Sequence, residues 1–233
     1  VHIVMHESFE APGAIEEWIR EKWHTARYTR LYLWDALPID ASSFDFLVVL
    51  GGPQSPATTQ QECPHYNAAE EIRLIKDAIS QGKKVLGACL GAQLIWEALQ
   101  ASFDHSPHKE LGVFPITLTQ AWKRDAFFWT LPETFNSGHW HSDMPGLSPE
   151  AEILAYSEWC PRQIVRYTPN VYGFQCHMEF NSQVMEGLIE EFEDEISDES
   201  HKPYVQSVSE LRSKDYDQMN EFLFRFLDYF TKS

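Results

Sequence analysis

The chain has 233 residues, of which 43% are apolar and 23% are charged, values typical of a globular protein with a buried core. Eighteen Lys and Arg residues against 35 Asp and Glu residues give a formal net charge of −17, which disfavours nucleic acid and anionic membrane surfaces as partners. No stretch reaches the roughly 18 apolar residues of a membrane span, and the amino terminus lacks a secretory leader, so the sequence predicts a soluble, cytoplasmic protein.

Strands and helices alternate over the first hundred residues. Apolar runs predict strands at residues 2–5, 25–33, 44–50 and 83–88, and amphipathic spacing predicts helices at residues 11–23, about 64–81 and 90–101. The run at 44–50 is continuously apolar, which is typical of a strand covered on both faces. This alternation predicts right-handed βαβ units and hence an α/β fold with a mostly parallel sheet sandwiched by helices.

The pattern changes between residues 112 and 176. Short β-like runs there are separated by Pro, Gly and Ser, which indicates an antiparallel extension of the sheet. An amphipathic helix is predicted at residues 181–196, and the acidic stretch 190–199 is predicted to be a solvated face or a mobile loop. A last helix is predicted at 215–230. Without repeats or a linker, the sequence predicts one domain, 1–233, with its core at about 2–196 and a C-terminal helical appendage at about 204–233.

The segment VLGACLGAQ places a cysteine between a predicted strand and a predicted helix. Cys89 is flanked by Gly87 and Gly91, the spacing of a nucleophile elbow. The amino terminus of the helix favours the thiolate, and the Leu90 N–H can donate to an oxyanion on a substrate carbonyl. The alternative is a small buried cysteine in an ordinary βα turn.

Two other segments offer the remaining groups of an acyl-transfer site. In GFQCHMEF, His177 and Glu179 are two residues apart, so an extended backbone puts both side chains on one face, where the carboxylate can orient the imidazole as a base. LGGPQS follows a predicted parallel strand, and the Gly52 N–H can face that of Leu90 as a second oxyanion donor. Taken alone, GFQCHMEF is equally consistent with a His and a Glu on the surface, and LGGPQS is equally consistent with a simple turn.

Four motifs in order, GGPQS, GACLGAQ, HWHSD and GFQCHME, resemble those of the class I glutamine amidotransferase domain, as found in GMP synthase and its stand-alone relatives. The resemblance covers residues 2–196 and implies a flavodoxin-like sheet. It implies that Cys89 is the nucleophile, that His177 is the general base and acid, and that Glu179 orients the imidazole. It also implies oxyanion donors at Gly52 and Leu90.

The resemblance further implies a ligand and partners. Glutamine or a small γ-glutamyl molecule is the expected ligand, in contact with Gly51, Gln93 and a loop at 139–143 that includes His141, Ser142 and Asp143. No cofactor or metal is expected. A separate ammonia-consuming synthetase subunit or a homodimer is the expected protein partner. Cys176 and Met178 replace the aromatic residue and the Pro that usually flank the motif histidine.

The sequence therefore predicts a thiol-dependent glutaminase or amidotransferase that forms a γ-glutamyl thioester. Two alternatives remain: a γ-glutamyl peptide hydrolase, and a non-enzymatic subunit of the same fold that binds a ligand or a partner. His139, His141 and Asp143 alternate along one face and would suit a metal ion, but Trp140 and Pro145 favour a shaped loop instead.

Overall fold

A single mixed sheet runs through the protein. The computed structural model describes residues 1–101 and 103–232, and nine strands are found among them. They are β1 (His2–Met5), β2 (Arg27–Arg30), β3 (Phe46–Val49), β4 (Lys84–Ala88), β5 (Asp104–Leu118), β6 (Thr134–Met144), β7 (Glu152–Tyr156), β8 (Ile164–Thr168) and β9 (Val171–Phe174). Their order across the sheet is β2-β1-β3-β4-β9-β8-β7-β5-β6.

The two halves of the sheet differ in strand direction. β2, β1, β3, β4 and β9 are mutually parallel, whereas β8, β7, β5 and β6 are joined by antiparallel pairings. The predicted fold class, a parallel sheet between helices with an antiparallel extension, is therefore confirmed. The carboxyl ends of the parallel strands meet at one edge of the sheet, which is where ligands bind in open α/β folds.

Helices cover both faces of the parallel half. The described helices are α1 (Ala14–Glu21), α2 (Ala68–Ser80), α3 (Leu90–Ala98), α4 (Ser182–Glu199), α5 (Val208–Arg212) and α6 (Asp217–Lys232). One apolar cluster joins α1 and α6 to one face of the sheet, and a second joins α2 and α3 to the other. None of these helices combines the length and the apolar character that a membrane crossing requires.

The side chains of β3 explain why its sequence is continuously apolar. Phe46 and Val48 belong to the cluster with α1 and α6, whereas Leu47 and Val49 belong to the cluster with α2 and α3. Successive residues of a strand point to opposite faces, so a strand with helices on both sides needs apolar residues at every position.

Several element boundaries differ from the sequence prediction. α2 begins at Ala68 and not near Pro64, because the Asn67 side chain accepts a hydrogen bond from the Glu70 N–H and caps the helix there. The predicted strand 25–33 is only four residues long and ends in a 3-10 turn at Leu31–Leu33. α4 continues through the acidic stretch to Glu199, with a break in helical geometry at Phe192, so this stretch is not a loop.

The sequence predicts a loop at the HWHSD segment, and this prediction is wrong. Residues 139–143 lie inside β6, where His139 pairs with Gly112 and His141 pairs with Glu110 of β5. The ladder to β5 satisfies the backbone groups, so that polar side chains do not prevent the strand from forming. Both histidines are consequently buried within the sheet layer.

Candidate active site

Cys89 occupies a strained turn between β4 and α3. Its backbone has φ 47° and ψ −109°, a positive φ that is costly for a residue with a Cβ atom. The Cys89 N–H donates to the Phe174 carbonyl at 2.7 Å, which ties the turn to β9. The Gln175 amide donates to the sulfur at 3.4 Å. The thiol is thus held at the carboxyl edge of the parallel sheet, at the amino terminus of α3.

Glycines on either side of Cys89 let the helix approach the sheet. A Cβ atom on Gly91 would lie 2.0 Å from the Val49 carbonyl oxygen. A Cβ atom on Gly87 would lie 2.4 Å from the backbone of Gly91. Because these neighbours are backbone atoms, no side-chain movement would relieve either clash. The G-x-C-x-G spacing of the sequence therefore reflects two close backbone approaches.

His177 is fixed by contacts on three sides. Its Nδ1 lies 2.6 Å from Glu179 Oε1. Its backbone N–H donates to the Gly138 carbonyl at 2.8 Å, and its carbonyl accepts from the Gly138 N–H at 3.2 Å. Its ring stacks on Phe180 with the centroids 4.1 Å apart. With Nδ1 engaged by the carboxylate, Nε2 is the ring nitrogen left to interact with Cys89 and to transfer a proton.

The electrostatics of His177 favour the charged imidazolium. Burial alone would lower the pKa of this fully buried ring. The negative charge of Glu179 and the interaction with Cys89 outweigh burial and raise the pKa of His177 well above 6.5. An imidazolium beside a thiol is the arrangement that keeps a cysteine nucleophile activated.

A cavity of ≈ 250 Å³ opens onto Cys89, smaller than the sites of about 300–1,000 Å³ that hold most drug-sized ligands. Its lining includes predicted site residues from three segments: Gly52, Cys89, Gln93, His141, Ser142 and Asp143. Leu90 opens α3, so its N–H has no partner within the helix. The size of the cavity is suited to a small substrate.

Several of the predicted substrate-binding residues form hydrogen bonds with other residues of the protein. The carbonyl of Gly51 accepts from His6 Nδ1 at 2.8 Å, and the Gln93 amide donates to Gln175 at 3.3 Å. The Asp143 carboxylate lies 2.6 Å from His105 Nδ1. Ser142 is exposed at the mouth of the cavity.

Comparisons with known proteins place this geometry in a family. Residues 14–194 match the sequence profile of glutamine amidotransferase class-I. The chain belongs to the class I glutamine amidotransferases. The glutamine amidotransferase-like protein YfeJ of Salmonella typhimurium is 50% identical over 99% of this chain and 97% of its own length.

Two further relatives differ in how much of the chain they match. The crystal structure of SMU.1228c superimposes with a TM-score of 0.96 at 43% identity and covers 99% of this chain and 98% of that one. The glutamine-hydrolysing GMP synthase subunit of Methanococcus maripaludis is 30% identical over 44% of this chain and 53% of its own length. As in YfeJ, the similarity to SMU.1228c spans nearly the whole chain.

The predicted face of His139, His141 and Asp143 does not form one cluster. His139 and His141 lie 3.7 and 3.3 Å from the Glu110 carboxylate, whereas Asp143 contacts His105. Burial lowers the pKa of His139 to about 3, so its ring is neutral. Among the described residues, potential metal ligands approach one another at two places: Glu7, Cys63 and His65, and Glu110, His141 and Cys160.

At the second of these places a side-chain amide contacts two of the three potential ligands. Gln163 Nε2 lies 2.7 Å from Glu110 Oε2 and 3.3 Å from His141 Nε2. Cys176, the second thiol near His177, is also buried, and burial raises its pKa, so it stays protonated. Neither thiol of this region, Cys160 or Cys176, lines the cavity around Cys89.

Three features of the cavity were missed in the sequence. Glu10, Lys109 and the α4 residues Phe192 and Glu195 all line it. Glu10 follows β1, and its position just beyond the carboxyl end of a parallel strand was an available signal. Lys109 and Glu195 gave no such signal, because they meet only when α4 packs against β5, 86 residues away along the chain.

Proposed function

We propose that this protein is a thiol-dependent hydrolase or amidotransferase that cleaves the γ-glutamyl amide bond of glutamine or of a related γ-glutamyl compound. Cys89 is the nucleophile, His177 is the general base and acid, and Glu179 orients the imidazole and stabilises its charge. The observation that carries the proposal is the 2.6 Å contact between His177 and Glu179 beside a cysteine on a strained elbow.

The proposed reaction has two steps. The Cys89 sulfur attacks the γ-carbonyl carbon, and the N–H groups of Gly52 and Leu90 stabilise the oxyanion. The proton held by His177 passes to the departing amine as the C–N bond breaks, which leaves a γ-glutamyl thioester. Water, deprotonated by His177, then attacks the thioester, and glutamate and the free thiol are released. The net reaction adds one water across the amide bond.

Two versions of this function are possible, and they differ in whether ammonia or another amine is released in the first step. One relative is named as a glutamine-hydrolysing subunit of GMP synthase, and by analogy we propose that ammonia passes to a separate synthetase subunit. A homodimer is the alternative protein partner. The other version is a γ-glutamyl peptide hydrolase. The four free thiols are typical of a reducing compartment, so we propose that it acts in the cytoplasm.

Covalent labelling tests the nucleophile. Intact-protein mass spectrometry after treatment with the γ-glutamyl electrophile diazo-oxo-norleucine should show a single adduct that maps to Cys89. Cys89→Ser should lose the adduct and more than about 10³-fold of γ-glutamyl hydrolysis. Cys63→Ser removes a partly exposed thiol outside the cavity and should keep both.

Two results would contradict the assignment. Hydrolysis that survives in Cys89→Ser would exclude Cys89 as the nucleophile. Absence of hydrolysis of glutamine and of a broad γ-glutamyl panel, in a folded protein, would favour the ligand-binding or partner role instead. This non-enzymatic alternative is less favoured, because a binding module has no need of a buried imidazolium beside a thiol.

A further inference from the structure

Glu10 is a buried carboxylate with no partner. Glu10 is 7% exposed, and it lines the cavity that contains Cys89. Within residues 1–101 and 103–232, its carboxylate accepts no hydrogen bond and forms no ion pair. Burial removes part of the hydration of this carboxylate, although it still lines the cavity. Burial accordingly raises the pKa of Glu10.

Glu10 and His177 approach the same point beside Gly51. A Cβ atom on Gly51 would lie 2.8 Å from Glu10 Oε2 and 3.1 Å from His177 Cε1, so both groups border the same small space. The charges of Glu10 and His177 also interact across this space. The Glu10 carboxylate therefore lies close to the imidazole of His177.

The two other carboxylates that line the cavity have protein partners. Glu195 pairs with Lys109, and Asp143 pairs with His105 at 2.6 Å. Two aromatic rings, Trp140 and Phe192, form another part of the wall with their centroids 5.7 Å apart. Aromatic faces and an unpaired carboxylate are the surroundings that an organic ammonium group prefers.

We propose that Glu10 binds a cationic nitrogen on the amine half of the substrate, so that the site prefers γ-glutamyl amides of diamines and other amines with a second, charged nitrogen. This inference rests on the proposed function. His177 protonates the departing amine, and Glu10 lies close to His177, so the amine half of the substrate leaves near the Glu10 carboxylate. A cation there offsets the cost of burying the carboxylate, and Glu10 is a specificity residue that takes no part in proton transfer.

Three amides that differ only at the far end of the leaving amine test the proposal. They are the γ-glutamyl amides of 1,4-diaminobutane, pentylamine and 5-aminopentanoate, which end in an ammonium, a methyl and a carboxylate group. The expected order of kcat/KM is ammonium, methyl, carboxylate, with the ammonium amide preferred over the methyl amide by about 10- to 100-fold. Equal kcat/KM for the three amides, or preference for the carboxylate, would overturn the inference and leave the hydrolase assignment intact.

Variants assign the preference to Glu10. Glu10→Gln keeps the shape and removes the charge, and should reduce the preference for the ammonium amide to less than about threefold. Glu10→Asp should keep part of it. Glu150→Gln removes one exposed negative charge elsewhere and should keep all of it. A preference that survives unchanged in a folded Glu10→Gln protein would overturn the proposal.

A fourth substrate separates the two halves of the ligand. The 1,4-diaminobutane amide of glutarate lacks the α-amino group of the glutamyl half. If Glu10→Gln changes the discrimination between the glutaryl and γ-glutamyl amides but leaves the order among the three amines unchanged, Glu10 recognises the α-ammonium group and the proposal is wrong. If none of the amides acylates Cys89, as judged by mass spectrometry, the proposed function fails, and with it this inference.

Discussion

Two fully buried histidines, His139 and His177, differ in which protonation state their surroundings favour. Burial lowers the pKa of His139 to about 3, whereas the pKa of His177 is raised well above 6.5. The difference lies in the carboxylates: Glu179 is 2.6 Å from His177, but Glu110 is 3.7 Å from His139 and also faces His141. A close, dedicated carboxylate overcomes desolvation, and a distant, shared one does not.

This contrast predicts the pH dependence of a Glu179 variant. Glu179→Gln removes the largest influence that raises the pKa of His177, so burial dominates and that pKa falls. The imidazolium is then lost at a lower pH, and the alkaline limb of the kcat/KM profile should move to lower pH. At pH 7 the rate should fall by about 10²–10⁴-fold. The measurement is a pH–rate profile of both proteins on one γ-glutamyl substrate.

Glu7→Gln is a suitable control, because Glu7 pairs with His65 and not with His177. The alkaline limb of the kcat/KM profile of Glu7→Gln should coincide with that of the unsubstituted protein. If the limb of Glu179→Gln also stays in place, Glu179 does not set the protonation of His177, and the role proposed for it is wrong.

At the scale of elements, the elbow depends on how closely α3 approaches β3. Gly91→Ala should destabilise the protein by at least about 1–3 kcal/mol, since its Cβ atom would overlap the Val49 backbone. Gly187→Ala is the matched control within α4, where no atom lies within 4 Å of the added Cβ, and it should be neutral or stabilise by about 0.5–1 kcal/mol. Urea unfolding measures both, and equal effects would contradict the close approach.

α6 is joined to the sheet by aromatic packing. Phe226 is buried, and its ring centroid lies 5.2 Å from that of Phe174 on β9 and 5.7 Å from that of Phe128. Phe226→Ala should therefore cost about 3–5 kcal/mol of unfolding free energy. Glu221→Ala, at an exposed position of the same helix, should change it by less than about 0.5 kcal/mol. A loss of helix signal in Phe226→Ala without loss of the remaining fold would show that α6 is dispensable.

At the scale of the whole molecule, the net charge of −17 opposes folding through self-repulsion. Salt screens this repulsion, with a Debye length of about 30 Å at 0.01 M and about 8 Å at 0.15 M. Raising NaCl between these concentrations at pH 7.5 should stabilise the protein by about 1 kcal/mol, or about 2–4 °C in Tm. A Tm that falls with NaCl would mean that surface ion pairs such as Lys22–Asp228 outweigh the repulsion.

The sequence by itself determined the features that depend on near neighbours. The parallel strands and the cysteine elbow are recognisable because burial on both faces demands apolar residues at every strand position, and close backbone approach demands glycine. His177 and Glu179 are two residues apart, so their contact is also a local event. The division into core and appendage stays a prediction.

Only the tertiary structure decided the features that join distant segments. The pairing of β5 with β6 turned an expected loop into a strand, because the partner strand supplied the hydrogen bonds that the polar segment could not provide for itself. The position of Glu10 beside His177, 167 residues later, likewise has no local signature. Contacts of this kind depend on sheet order and on helix packing, which no short stretch of sequence encodes.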